Sequence, residues 1–197
     1  MMAGSASGVS PRNVRFETGE SGRPELAGDP FAEHGVNVSH SGDWVLCAGG
    51  PARSLGVDVE QRRADINVMK LAASVFSPWE RDVLATFAPE TRQHLFFDIW
   101  SRKEAVIKAD GRGVGFGLDR FDVEFRPDHG PHVRRIDDRT DLSHWHLVSL
   151  DLDEEHAAAL AFCHESHLEE AATEPPSIAA HVVRPPSTFD LDGLGLG

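Results

Sequence analysis

Cysteine is scarce in this chain, with two residues, Cys47 and Cys163, among 197. Two thiols cannot build a disulfide framework, and no C-x-x-C is present. Long apolar runs are missing as well, and none approaches the ~18–20 residues that a membrane span needs. The first residues, MMAGSASGVSPRNVRF, do not show the cationic start and apolar run of a secretory signal. Positive charge is in the minority. Lys plus Arg number 19 and Asp plus Glu 32, which gives a net charge of −13. A chain this acidic is a poor candidate for gripping nucleic acid or an anionic membrane through its net field. These absences lead us to expect a soluble, cytoplasmic protein with neither kind of partner.

Periodicity divides what is present. Residues 1–13 are small and polar and read as a flexible arm. Asn13–Glu17, Val36–Ala48 (with Ser41-Gly42-Asp43 as a turn) and Leu55–Glu60 alternate as strands. The middle turns helical. Ile66–Phe76 and Trp79–Phe87 are separated by Ser77-Pro78, a cap followed by a first-turn proline. A longer helix over Glu90–Ala109 follows and stops at Asp110-Gly111. Leu118–Arg126, His144–Leu152 and Ala157–Cys163 return to strand alternation. The tail, 166–197, has four prolines and no period, and is expected to be disordered.

Several groupings could carry chemistry. In Gly56-Val57-Asp58-Val59-Glu60, alternate side chains share a face. Asp58 and Glu60 therefore stand side by side, with Gly56 leaving space. A divalent cation would relieve their repulsion, but for a lone D-x-E a half-buried strand with a wet polar face is the favoured reading. On the long helix, Lys103 falls near the centre of the apolar arc and Glu104 at its edge, with Lys108 one turn beyond. Charges set into an apolar stripe are costly unless paired. A snorkelling Lys103 and a Glu104–Lys108 pair would satisfy that need without any function. Ser39 and His40 at a strand end suit anion binding better than a catalytic triad, because adjacent strand residues face opposite sides. Gly111–Gly117 has the glycines of a phosphate loop but follows a helix rather than preceding one, so it reads as a helix stop and a loop. Cys163, His164 and His167 match no common zinc spacing.

The order of these pieces resembles one family. Gly22-Arg23-Pro24, Asn37-Val38-Ser39-His40-Ser41, Gly56-Val57-Asp58-Val59-Glu60 and Trp100-Ser101-Arg102-Lys103-Glu104-Ala105-Val106-Ile107-Lys108 together look like the 4′-phosphopantetheinyl transferases. The likeness is to the larger, two-lobed class that activates peptide and polyketide synthetases, and it runs from about Val14 to Cys163. It implies an enzyme that moves phosphopantetheine from coenzyme A to a serine of an apo acyl or peptidyl carrier protein, releasing 3′,5′-ADP. By the same resemblance Asp58, Glu60 and Glu104 are the ligands of Mg²⁺. Glu104 takes the serine proton, Lys108 and Lys103 handle phosphate charge, and Arg23, Ser39 and His40 contact coenzyme A. The implied fold is α+β: two pseudo-symmetric lobes, each a small antiparallel sheet with packed helices.

On that reading 14–53 is a partial first lobe, 54–165 is the second, catalytic lobe, and the boundary lies near Arg53–Leu55. Only 21 residues precede Gly22, where two-lobed members carry a longer segment. The first lobe is therefore expected to be incomplete. The alternative is a truncated, non-catalytic remnant that binds coenzyme A or a carrier protein. A metal-dependent phosphohydrolase is a third reading of the same acids. Arg112 and Phe116, after the long helix, are the expected carrier contact.

Overall fold

The computed structural model describes residues 13–18, 24–28, 34–50, 54–163 and 179–183. Two short strands, β1 (Phe16–Thr18) and β2 (Pro24–Leu26), form an antiparallel ribbon. Then come β3 (Gly35–Ser41), β4 (Trp44–Gly50) and β5 (Ser54–Gln61). Three helices follow: α1 (Val68–Val75), α2 (Pro78–Ala85) and α3 (Pro89–Asp110). The chain returns to strands with β6 (Phe121–Val123), β7 (Val133–Ile136), β8 (Trp145–Leu150), β9 (His156–Cys163) and β10 (Ala179–Val183). Two three-stranded antiparallel sheets dominate, in the orders β10-β4-β3 and β5-β9-β8. The α+β class expected from the sequence is borne out.

Local chemistry sets the helix ends. Asn67 caps α1 by accepting the Lys70 amide at 3.0 Å. At α2, Ser77 Oγ accepts the Glu80 amide at 3.2 Å, and Glu80 returns the bond to the Ser77 amide at 3.1 Å, a reciprocal capping box. Pro89 opens α3, and Gly111 closes it at φ 80, a left-handed position that suits glycine. A two-residue turn with Gly42 at φ 55 joins β3 to β4.

Strands β5 and β9 are buried on both faces. Leu55, Val57, Val59, Ala158, Leu160 and Phe162 pack with Leu46 and Ala48 of β4 in one core. On the opposite face Ala157, Ala159 and Ala161 meet α3 in the larger core, which holds Phe96, Ile99, Val106 and Phe121. Alanine at alternate β9 positions lets the helix lie close on the sheet.

Two expectations about local structure change, and one further strand appears. Leu118–Arg126 is not one strand; a 3₁₀ turn over Leu118–Arg120 precedes the three-residue β6. The arginine-rich β7 carries too little alternation to stand out in the sequence. Within the tail expected to be disordered, β10 pairs antiparallel with β4, from Ala179 against Gly49 to Val183 against Val45. Five residues between proline pairs give no signal alone, and the strand exists because the edge of β4 offers partners. Residues 1–12, 51–53, 164–178 and 184–197, on which the arm, the lobe boundary and most of the tail fall, lie outside the described residues.

Candidate active site

Strand β5 turns Gly56, Asp58 and Glu60 toward α3. The missing side chain at Gly56 permits the contact, since a Cβ there would lie 2.1 Å from the Ala105 carbonyl oxygen and 2.5 Å from the Ala109 amide. Glu104 and Lys108, one turn apart on α3, come over Asp58 and Glu60 as a result. Lys108 Nζ donates to Asp58 Oδ1 at 2.8 Å, to Ser39 Oγ at 3.0 Å and to the Val57 carbonyl at 3.2 Å. Its three protons thus go to β3 and β5, and its ion pair is with Asp58 rather than with Glu104.

The three carboxylates stand in one electrostatic field. Burial pushes Asp58 up, against the pull of Lys108 and the Ser39 hydroxyl. Glu60 rises to about 7, chiefly by burial and then by the charges of Asp58 and Glu104. Burial, followed by Asp58, raises Glu104 as well, and Lys108 opposes this. One lysine does not offset three acids, so the cluster holds an excess of negative charge. Asp58 is 3 % exposed, and its Oδ2 is buried without a hydrogen-bond partner. Among the described residues no three His, Cys, Asp or Glu side chains form a finished metal-holding group. The donor set nevertheless suits a hard divalent cation: it is all oxygen and anionic, and it contains an orphaned atom that a cation would satisfy.

Strand β3 meets β5 through side chains. Asn37 Oδ1 accepts the Val57 amide at 2.9 Å, Ser39 Oγ the Val59 amide at 3.4 Å and Ser41 Oγ the Gln61 amide at 3.0 Å. This N-x-S-x-S ladder caps the β5 edge that β9 leaves unpaired. Ser39 Oγ also donates to Asp58 Oδ1 at 2.9 Å. The Ser39 hydroxyl is thereby turned inward, onto a carboxylate and a lysine. His40, the next residue, alternates to the other face of β3. Arg23 lies outside the described residues.

Lys103 requires a correction. It is fully buried on another side of α3, where Nζ donates to both Glu80 oxygens at 2.7 and 2.8 Å and to the Phe121 carbonyl. Its ammonium also lies 4.1 Å from the centre of the Phe121 ring. All three protons are engaged, so none is left for a phosphate oxygen. Instead of snorkelling, Lys103 pairs with Glu80, which the S-x-x-E capping signature announces only as a helix start. Glu80 also accepts the Val123 amide at 3.0 Å, joining α2, α3 and β6.

The expected carrier contact changes too. Phe116 is 8 % exposed, stacked on Phe121 and covered by the Arg112 guanidinium 3.6 Å above its ring. Arg112 itself is held by Asp110 and Asp138. Phe116 is thus largely shielded, whereas Arg112 stays exposed although ion-paired. Cys163 packs against the helix-side core, while His164 and His167 lie outside the described residues.

Known proteins similar to this chain point to one family. The profile of the 4′-phosphopantetheinyl transferase superfamily matches residues 54–163, from the start of β5 to the end of β9. The 4′-phosphopantetheinyl transferase HetI of Nostoc sp. is 34% identical over 156 residues, which cover 78% of this chain and 62% of that protein. A 4′-phosphopantetheinyl transferase of Bacillus subtilis is 30% identical over 162 residues, covering 82% of this chain and 69% of its own. A holo-acyl-carrier-protein synthase of Thermotoga maritima overlays 55% of this chain and 61% of its own with a TM-score of 0.44 at 19% identity, too loosely to align the two sites. The chain belongs to the 4′-phosphopantetheinyl transferase superfamily. It spans about three fifths of the length of several curated relatives it matches. No helix among the described residues is long and apolar enough to cross a membrane.

Proposed function

We propose that the chain transfers 4′-phosphopantetheine from coenzyme A to a serine hydroxyl of an apo carrier protein, leaving 3′,5′-ADP. The observation that carries this reading is the meeting of Asp58, Glu60, Glu104 and Lys108 where α3 crosses β5, inside the segment that matches the family. Asp58, Glu60 and Glu104 are the residues that would hold Mg²⁺. When bound, the ion supplies charge neutralisation at the diphosphate.

Glu104 is the base. Its raised carboxyl brings its basicity closer to neutral pH, where proton transfer is most effective. It takes the proton from the carrier serine as the serine oxygen attacks the phosphorus that bears pantetheine. The bond from that phosphorus to the bridging oxygen of the diphosphate breaks, and the electron pair leaves with 3′,5′-ADP. Lys108 is partly exposed, unlike Lys103, and offsets charge on the departing nucleotide through space, or by trading its Ser39 or Val57 contact for a phosphate oxygen. Ser39 orients Asp58 and Lys108 from within. His40 and Arg23 remain candidates for the outer phosphates of coenzyme A. Arg23 would bring a guanidinium fork where relatives usually have lysine.

Incubation with coenzyme A, Mg²⁺ and an apo carrier protein should add the mass of phosphopantetheine to the carrier. Glu104→Gln should abolish that addition and leave the fold intact. Unmodified carrier with wild-type protein, together with saturable coenzyme A binding, would favour the binding-remnant reading instead. Release of product without an acceptor would favour a hydrolase.

A further inference from the structure

The molecule carries a second built polar site, outside the acid cluster and made by other elements. Where β6 runs out and β7 begins, a shallow, open surface pocket of about 300 Å³ is lined by Glu124, Arg126, His129, His132, Val133 and Arg134. We propose that this pocket binds the oxyanion of a phosphate-bearing small molecule. The inference does not depend on the transferase reading.

The charge arrangement supports it. Glu124 is fully buried and its carboxylate is saturated. Oε1 accepts the Phe125 amide at 3.1 Å, the Arg126 amide at 3.0 Å and Arg126 Nε at 2.9 Å. Oε2 accepts Arg126 Nη2 at 2.8 Å and Arg134 Nη1 at 2.9 Å. These partners hold Glu124 well below the usual carboxylate range, so it stays charged and turned inward. Two guanidiniums therefore share one carboxylate oxygen and keep a net positive charge between them. The Arg134 guanidinium is fixed from its other side as well, 3.8 Å from the centre of the Trp79 ring.

Each guanidinium has five N–H donors and keeps some that Glu124 does not use. Because carboxylate and indole already fix these side chains, little rotamer freedom remains to be lost when an anion arrives. Two arginines line the pocket rather than one, so their remaining N–H groups do not form a single planar fork, an arrangement that suits a tetrahedral phosphate better than a flat carboxylate. His129 and His132 stand exposed on the connecting loop beside the two arginines, and the ring of His132 is oriented by donating its Nδ1–H to the Gly130 carbonyl at 2.9 Å. Asp128 is exposed on the same loop and does not line the pocket.

Titrating the full chain with inorganic phosphate at constant ionic strength, while following the ring protons of His129 and His132, tests the idea. The expected result is a saturable shift of both rings, with acetate and sulfate run as the carboxylate and tetrahedral-anion arms. Phosphate and sulfate should saturate, and acetate should not. Arg134→Gln should weaken phosphate about tenfold, the loss of one charge-assisted contact. Arg126→Lys, which keeps charge but loses the fork, should also weaken it, and this variant serves if Arg134→Gln does not fold. Lys108→Ala should leave the titration unchanged, which separates this pocket from phosphate binding at the acid cluster. Linear shifts without saturation, an equal response to acetate, or full retention in a folded Arg134→Gln would overturn the proposal.

Discussion

Replacing Lys103 by methionine keeps an unbranched stem of similar reach and removes the ammonium. In the native protein that ammonium answers both oxygens of Glu80, at 2.7 and 2.8 Å, with both side chains wholly shielded from water. After the substitution Glu80 retains only the Ser77 and Val123 amides. Removing one partner of a buried pair leaves an uncompensated charge and costs about 3–5 kcal/mol. With a urea m value of ~2 kcal/mol/M for a domain of this size, the midpoint should fall by ~1.5–2.5 M. Changing the partner as well, in K103M/E80Q, removes the stranded charge. That double variant should recover most of the loss and end within ~1–2 kcal/mol of wild type, the residue of unmade hydrogen bonds. Urea unfolding followed by far-ultraviolet circular dichroism gives all four corners of the cycle. A K103M loss below ~1 kcal/mol, or a double variant as unstable as the sum of the singles, would refute a structural Lys103. An inactive K103M with an unchanged midpoint would return it to the chemistry.

Gly56→Ala should destabilise the chain by at least ~1–3 kcal/mol, because backbone atoms of α3 occupy the space; an unchanged melting temperature would contradict that contact. Asn37→Ala strands the buried Val57 amide and should cost about 1–3 kcal/mol, whereas Ser41→Ala, at the exposed end of the ladder, should cost less. Equal losses in urea midpoints would argue against the ladder. The chain without cations should also lose stability as pH rises. Glu60 titrates at about 7 in the folded state against an ordinary 4.5. The folded state therefore holds the extra proton between those values, and its contribution is complete below the lower value and lost through the upper. Asp58 and Glu104 are raised too and act in the same direction. Melting temperatures measured in chelator should fall across this window, and Glu60→Gln should flatten the slope. A rise in wild type would show that the acids are not buried together.

The parts legible in the sequence are those that short-range chemistry dictates. Ser77-Pro78, Pro89 and Gly111 mark helix ends because caps and stops depend on one or two residues. The alternation of Leu55–Glu60 shows which residues share a face, and it places Asp58 and Glu60 together correctly. What the pattern does not convey is what each face meets. Lys103 and Glu104 are neighbours on one helix, yet one turns to Glu80 and the other to the acid pair. Helical periodicity sets Lys103 near the centre of the apolar arc and Glu104 at its edge but does not say what each meets, because that depends on where α2 and β6 dock. Asn37, Ser39 and Ser41 are visible as a period of two, but their partners are backbone amides of β5, and amides leave no trace in a sequence. Strand β10 is hidden for the same reason.

Divalent-cation binding in the full chain tests the central claim most directly. Mn²⁺ serves as a spectroscopic substitute for Mg²⁺, and its electron paramagnetic resonance signal is followed with coenzyme A present. The account predicts a single site, lost in each of Asp58→Asn, Glu60→Gln and Glu104→Gln and retained in Lys103→Met to the extent that this variant folds. A site that survives removal of Glu104, or that needs Lys103, would contradict the convergence of α3 and β5 on one ion.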